Sequence, residues 1–361
     1  MKSLIQIRIR KKIVATAMGA LFVTAAHAQS NVTLYGVLDA SILYTSKSLD
    51  PSTGKNAGKT FAFADAGNTA SRIGLKGSED LGGGLRALFV LESGIDTGNG
   101  GYNISNGNFF GRQAWVGLES PYGTTKMGLQ FSPFLIAAEH VDPRGGALFG
   151  GYAVNYVGSV FGSGIFTPNA ISYTSPQIAG LQGRVLVGLG NSSESFSAGR
   201  IYSAGVDYQA GGFFIDAAIY DSNGGSAVAT PIPTTIQFLG RLIGAGYNFG
   251  PVTVKASVTN LKVAGTVNNY IYSGGVAIYP SPTVTLTAGV QYTTDKNHTA
   301  NHSILSSAGF QYALSKSTFA YTQIAVVNNH GAANTGIAIS GALNEPAGTT
   351  LGVDIGIRHM F

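Results

Sequence analysis

Apolar and polar side chains alternate with a period of two along most of this chain. In VTLYGVLDASIL, Val32, Leu34, Leu38, Ala40 and Ile42 share one parity, and Thr33, Tyr35, Asp39 and Ser41 share the other. LRALFVLE sets Leu85, Ala87, Phe89 and Leu91 against Arg86 and Glu92. VTVKASVT sets Val252, Val254, Ala256 and Val258 against Thr253, Lys255, Ser257 and Thr259, and VTLTAGVQY repeats the pattern through Val284, Leu286, Ala288, Val290 and Tyr292. Such alternation predicts β-strands with one apolar and one polar face. Short breaker clusters punctuate it at 79–84, 120–124, 175–180, 209–212, 249–251, 280–282 and 315–317. If both chain ends lie on one side of a closed barrel, these seven tight turns predict eight longer loops and sixteen strands. One interval is conspicuously wide and supplies the single loop read as long. It holds residues 132–168, rich in Gly and aromatics, without sustained alternation, and carrying Glu139, His140, Asp142 and Arg144. Loops of that length are usually functional.

Composition decides what the strands enclose. Charged residues make up 11% of the chain, against about 25% in soluble domains, and Gly is 51 of 361 residues. A soluble β-sandwich of this size would need more charge on its outer face. Beyond the N-terminal segment no apolar run reaches the roughly 20 residues of a spanning helix. Apolar side chains shown to lipid by alternation require a closed barrel, because lipid leaves no unpaired backbone group without cost. The predicted fold is therefore all-β, a 16-stranded antiparallel transmembrane barrel. With no cysteine, neither a disulfide framework nor a thiolate metal site is available.

The N-terminus reads as an export signal. Lys2, Arg8, Arg10, Lys11 and Lys12 form a basic head, Ile13 to Val23 an apolar stretch, and Ala26-His27-Ala28 a small-x-small cleavage site. Cleavage is expected between Ala28 and Gln29, leaving a single barrel domain at 29–361. All five of those basic residues would depart with the signal. The formal charge of +5 therefore vanishes, and with it any case for a nucleic-acid partner.

GTTLGVDIGIRHMF places Leu351, Val353, Ile355, Ile357, His359 and Phe361 on one parity and ends on an aromatic, the candidate assembly signal. Tyr35, Tyr44, Phe131, Tyr208, Phe213, Tyr247, Phe249, Tyr279 and Tyr292 fall near inferred strand ends, as interfacial aromatic girdles would.

Several blocks, in order, resemble the trimeric general porins of the β-proteobacterial type. They are SNVTLYGVLDA (30–40), SRIGLKGSEDLGGGLRALFVLESG (71–94), FGRQAWVGLESPYGTTKMGLQFSP (110–133), NAISYTSPQIAGLQG (169–183), FQYALSKSTFAY (310–321) and GIRHMF (356–361). The resemblance implies a homotrimer of barrels in the outer membrane of a Gram-negative bacterium. It further implies contact with outer-membrane lipids, insertion by the barrel-assembly machinery, and a third loop, 132–168, folded inward to narrow the pore. Arg72 and Arg112 match wall arginines of the family, with Lys76, Arg86 and Lys126, and more remotely Arg184, as further wall cations. Glu139, Asp142 and Arg144 are the charges the loop would bring to the constriction. Leu129 stands where the family commonly carries Arg, and FTPNAISY lacks a basic residue often found there, so weak ion selectivity is expected.

Other chemistry finds little support. LGGGL at 81–85 lacks phosphate-loop spacing, His298 and His302 sit in a polar loop and not on a helix face, and no nucleophile motif is visible. No enzyme activity, cofactor or metal is expected. The expected function is a passive water-filled channel for ions and small hydrophilic solutes. A substrate-specific channel, or a barrel-anchored adhesin or receptor, is the alternative.

Overall fold

The computed structural model describes residues 31–158, 165–193, 195–224 and 233–361. The expected signal peptide and its Ala28–Gln29 bond lie outside these residues. One antiparallel sheet comprises β1 (Asn31–Thr45), β2 (Thr60–Asp65), β3 (Arg72–Gly82), β4 (Leu85–Gly94), β5 (Gln113–Ser120), β6 (Gly123–Phe131), β7 (Phe166–Thr174), β8 (Leu181–Gly188), β9 (Ile201–Ala210), β10 (Phe213–Gly224), β11 (Pro233–Asn248), β12 (Val252–Val263), β13 (Asn268–Ser281), β14 (Val284–Asp295), β15 (His302–Ala313) and β16 (Thr318–His330). After a small hairpin of β17 (Thr335–Ala338) and β18 (Ala342–Asn344), β19 (Gly348–Met360) completes it.

β2 and β3 both pair with β1, one along Ala40 to Thr45 and the other along Asn31 to Val37, so they act as one wall strand interrupted at 66–71. Sixteen wall strands result, closed where β1 pairs with β19 from Val37↔Met360 to Thr45↔Gly352. Closure removes every open edge, which a wall in lipid requires. The interruption is held from within, since the Asp39 carboxylate accepts from the backbone N–H groups of Asn68 and Thr69 at 3.3 and 2.9 Å.

All seven short turns stand where the breakers placed them. Alternation also sorts as expected: Val32, Leu34, Leu38, Ile42, Val254, Val258, Val290, Ile355 and Ile357 are exposed on the outer wall, whereas Asp39, Ser41, Thr253, Thr259, Gln291 and Asp354 are buried on the inner face. Two aromatics depart from the girdle expectation. Tyr35 shares parity with Asp39 and bonds to Glu92, and Phe131 packs on Phe166 and Arg112. Nor is there only one long loop, since 95–112 and 331–347 are also substantial. Alternation alone does not separate a polar loop from a polar strand end.

The longest connection carries α1 (Pro133–Val141) and α2 (Tyr152–Tyr156). Ser132 caps α1, its hydroxyl accepting from Leu135 N at 3.1 Å, and Pro133 supplies a first-turn φ suited to a helix. Phe134, Leu135, Ala138 and Val141 bury against Leu186, Tyr220, Leu242, Leu261 and Ile271 of the wall. Each large side chain so buried contributes about 1.5–3 kcal/mol. Gly240 and Gly244 of β11 give the helix room, because a Cβ there would meet Phe134 at 2.9 Å and Val141 at 2.8 Å.

Candidate functional site

Inward-facing charges gather beside the interrupted wall strand. Glu92, near the loop end of β4, accepts from Arg112 Nε at 2.8 Å and from the Tyr35 hydroxyl at 2.9 Å, and Arg72 Nε stands 3.7 Å from it. Arg112 is the more enclosed of the two bases, with 9% of its side chain exposed against 27% for Arg72. The rings of Phe131 and Phe166 flank the Arg112 guanidinium at 5.9 and 5.4 Å, and its remaining bond goes to the Ile104 carbonyl at 3.3 Å. Arg72 donates to the Ala70 carbonyl at 3.0 Å. Lys76, two inward positions further along β3, lies 5.3 Å over the Tyr35 ring.

A cavity of about 650 Å³ opens between this cluster and α1, lined by Arg72, Glu92, Arg112, Gln113, Glu139 and Tyr156. Glu139 lies on the helix side, within the field of both arginines. The surrounding protein pushes its carboxyl pKa up, and Arg112 offsets part of that rise. Arg72, Arg112 and Glu139 thus line one cavity.

Asp142 and Arg144, expected beside Glu139 as aperture charges, are instead buried. Asp142 ends α1 and accepts from the N–H groups of Gly146 at 2.9 Å and Arg144 at 3.3 Å. Arg144 reaches the inner wall at Thr287 on β14 and Gln323 on β16 and donates to the Phe149 carbonyl at 3.4 Å. The short Asp142 side chain in the tight Asp-Pro-Arg-Gly-Gly turn is drawn to nearby backbone groups, whereas the long Arg144 side chain reaches acceptors on the polar inner wall. Arg86 is exposed at the turn end of β4 and pairs with Glu119 at 3.1 Å, far from the cavity. Lys126 sits low on β6, 4.3 Å over Trp115, in the electrostatic reach of Arg184, which pairs with Asp207.

Four contributors escaped the sequence reading. Arg358 on β19 donates to Asn68 at 3.1 Å and Gln311 at 3.3 Å, close enough to Arg72 for their charges to interact. Lys255 on β12 donates to the His140 and Asp142 carbonyls at 2.7 and 3.1 Å, neutralising the C-terminal end of α1. Tyr35 and Glu92 complete the cluster. All four occupy the polar parity opposite apolar positions, a signal present in the sequence. Among the described residues no three His, Asp or Glu side chains group as a metal site would need, and His298 pairs with Asp295 while His302 stacks on His330.

The family profile described as Gram-negative porin matches residues 15–332. An outer membrane porin protein of Bordetella pertussis is 35% identical over 184 residues, covering 48% of this chain and 46% of its own length. Outer membrane porin protein 32 of Delftia acidovorans is 28% identical over 380 residues, covering 98% and 100%. The chain thus spans about half of the first relative and the whole of the second. Among solved structures, an anion-selective porin from Comamonas acidovorans superposes with a TM-score of 0.80 at 23% identity, over 92% of this chain and 100% of that one.

Proposed function

The chain belongs to the Gram-negative porin family, and on that premise we propose that it forms a passive, water-filled channel through the outer membrane for ions and small hydrophilic solutes. The observation that carries this reading is the cavity bounded by Arg72 and Arg112 on the wall and Glu139 on α1. In this proposal the segment 132–158 narrows the pore and those three residues border its narrowest zone. Charges facing each other across a thin water layer beside low-dielectric protein are screened less than in bulk, so each biases the passing ion. Lys76 and Arg358 add positive field. The Glu92 carboxylate, shared by two arginines, subtracts from it, so a weak anion preference follows. The similar structure is of a porin described as anion-selective. Export through a signal ending at Ala28, a mature domain at 29–361 and assembly as a homotrimer complete the proposal.

The test is a planar-bilayer recording under a salt gradient. A steady ohmic conductance with a small reversal potential of anion sign is expected. Failure of the purified barrel to conduct would exclude the channel, and a strong, saturable block by one sugar or organic acid would favour a substrate-specific pore instead.

A further inference from the structure

One outward-facing cation departs from the apolar belt. Arg241 on β11 has the parity of Ile243 and Tyr247, both exposed on the outer wall, and is itself exposed. Among the described residues it makes no hydrogen bond or ion pair. A lipid-facing charge is destabilising unless it reaches the polar boundary or meets a counter-charge. Through the register Arg241 lies level with Asn260 and Tyr270. That row is one step nearer the loops than Ile243, Val258, Tyr272 and Tyr292, where two tyrosine rings stack across strands at 6.3 Å. Arg241 therefore stands at the loop-side aromatic boundary, within a long side chain's reach of the headgroup layer.

It is not alone there. Lys296 places its ammonium 5.6 Å from the Tyr270 ring, and Lys262 is exposed on the outward parity of β12. Two acids lie nearby: Asp221 accepts from the Gln237 amide at 3.0 Å, and Asp295 is buried and accepts from the backbone N–H groups of Asn268 and Asn297 at 3.0 Å, so three cations stand against two carboxylates. Below Arg241 an apolar groove of about 680 Å³ runs along the outer wall. Ala204 and Ala217 recess its floor, and Val185, Val206, Ile219 and Ile243 form its sides.

We propose that this groove is a lipid site, taking an acyl chain of an outer-leaflet lipid whose phosphorylated headgroup binds Arg241, with Lys262 and Lys296 supplying further positive field. A guanidinium gives phosphate two parallel N–H···O bonds, which a hydroxyl-only headgroup would not match in strength. A second copy of the chain fits this face poorly, because packing protein over the exposed Arg241 and Lys262 would desolvate two cations that, among the described residues, form no ion pair.

Barrels in zwitterionic nanodiscs would be titrated with diphosphorylated lipid A, with its dephosphorylated form, or with inorganic phosphate, and bound lipid counted by native mass spectrometry. The wild type is expected to retain the phosphorylated lipid about tenfold better than the dephosphorylated one, with inorganic phosphate at equal concentration failing to displace it. Arg241→Gln should lose the discrimination, Arg241→Lys, which keeps the charge but not the paired donors, should keep part of it, and Ala204→Phe, which fills the groove, should weaken both lipids. Unaltered conductance in each variant reports a correctly folded barrel. Equal retention of the two lipids by the wild type, an undiminished preference in Arg241→Gln, or displacement by inorganic phosphate would overturn the proposal.

Discussion

At the scale of single residues, the two wall arginines that the sequence treated alike turn out to have different duties. Arg112 is enclosed between two aromatic rings and holds Glu92 directly, whereas Arg72 stands further off and more open to the cavity. Removing one partner of a buried pair costs about 3–5 kcal/mol. Arg112→Gln should therefore lower the heat resistance of the barrel as well as shift the reversal potential toward cations. Arg72→Gln should shift the potential with little loss of stability. Unboiled gels and bilayer recordings on both variants separate the two effects, and equal stability losses would show that the enclosure of Arg112 is immaterial. Glu139 gives the pH dependence. Its carboxyl pKa is raised, so acidification removes its negative charge at a higher pH than an ordinary glutamate would titrate, while the wall cations remain. Anion preference should grow as pH falls through that range, and Glu139→Gln should abolish the step. Which residues faced inward was legible from parity. Depth along a strand was not, because it depends on tilt and stagger around the closed wall, and so Arg86 and Lys126 stood as further candidates behind Arg72 and Arg112.

At the scale of elements, the turns were legible because Gly and Pro carry their own backbone preferences, whereas the path of the 132–168 segment was not. Its clue lay in the wall strands. FLGRLIGAGY of β11 is apolar on both parities, with Phe238 and Leu242 buried inward and Ile243 exposed outward. A strand with two apolar faces needs cover on its inner side, which α1 provides. Arg144 then pins the far end of the segment to β14 and β16. Arg144→Ala should free that end, giving noisier and larger single-channel currents at unchanged barrel yield. Currents indistinguishable from wild type would mean that the apolar seat of α1 holds the segment unaided. The C-terminus offers a second test. Phe361 exchanges backbone bonds with Gly36 at 2.9 and 3.1 Å, and a Cβ on Gly36 would strike its ring at 2.3 Å. Deleting Phe361 should reduce folded barrel without reducing export, and Gly36→Val should mimic it by displacing the ring. Normal folded yield in both would leave the terminal aromatic without an assembly role.

At the scale of the molecule, the outer wall is not uniform, and that bears on how the proposed trimer would form. The sector of β9 to β13 carries the exposed Arg241 and Lys262. Packing it against another copy would require these charges to lose water or lipid phosphate. On β1 to β5 the outward side chains include Val32, Leu34, Phe61, Phe63, Val116 and Leu118, with Phe61 78% exposed. Three barrels can close a ring through this sector at no such cost. An arginine on any lipid-facing strand costs the barrel about 2–4 kcal/mol near the midplane, so a loss of trimer in one variant alone would be ambiguous. Comparing variants in the two sectors removes the ambiguity. Leu34→Arg and Val116→Arg should dissolve the trimer on unboiled gels, leaving folded monomers that still conduct. Ile243→Arg, which burdens the wall comparably but lies in the basic sector, should leave it intact. Loss of trimer in all three would show only that the barrel had been weakened, and loss in Ile243→Arg alone would place the contact on β9 to β13 and displace the lipid from the groove beneath Arg241.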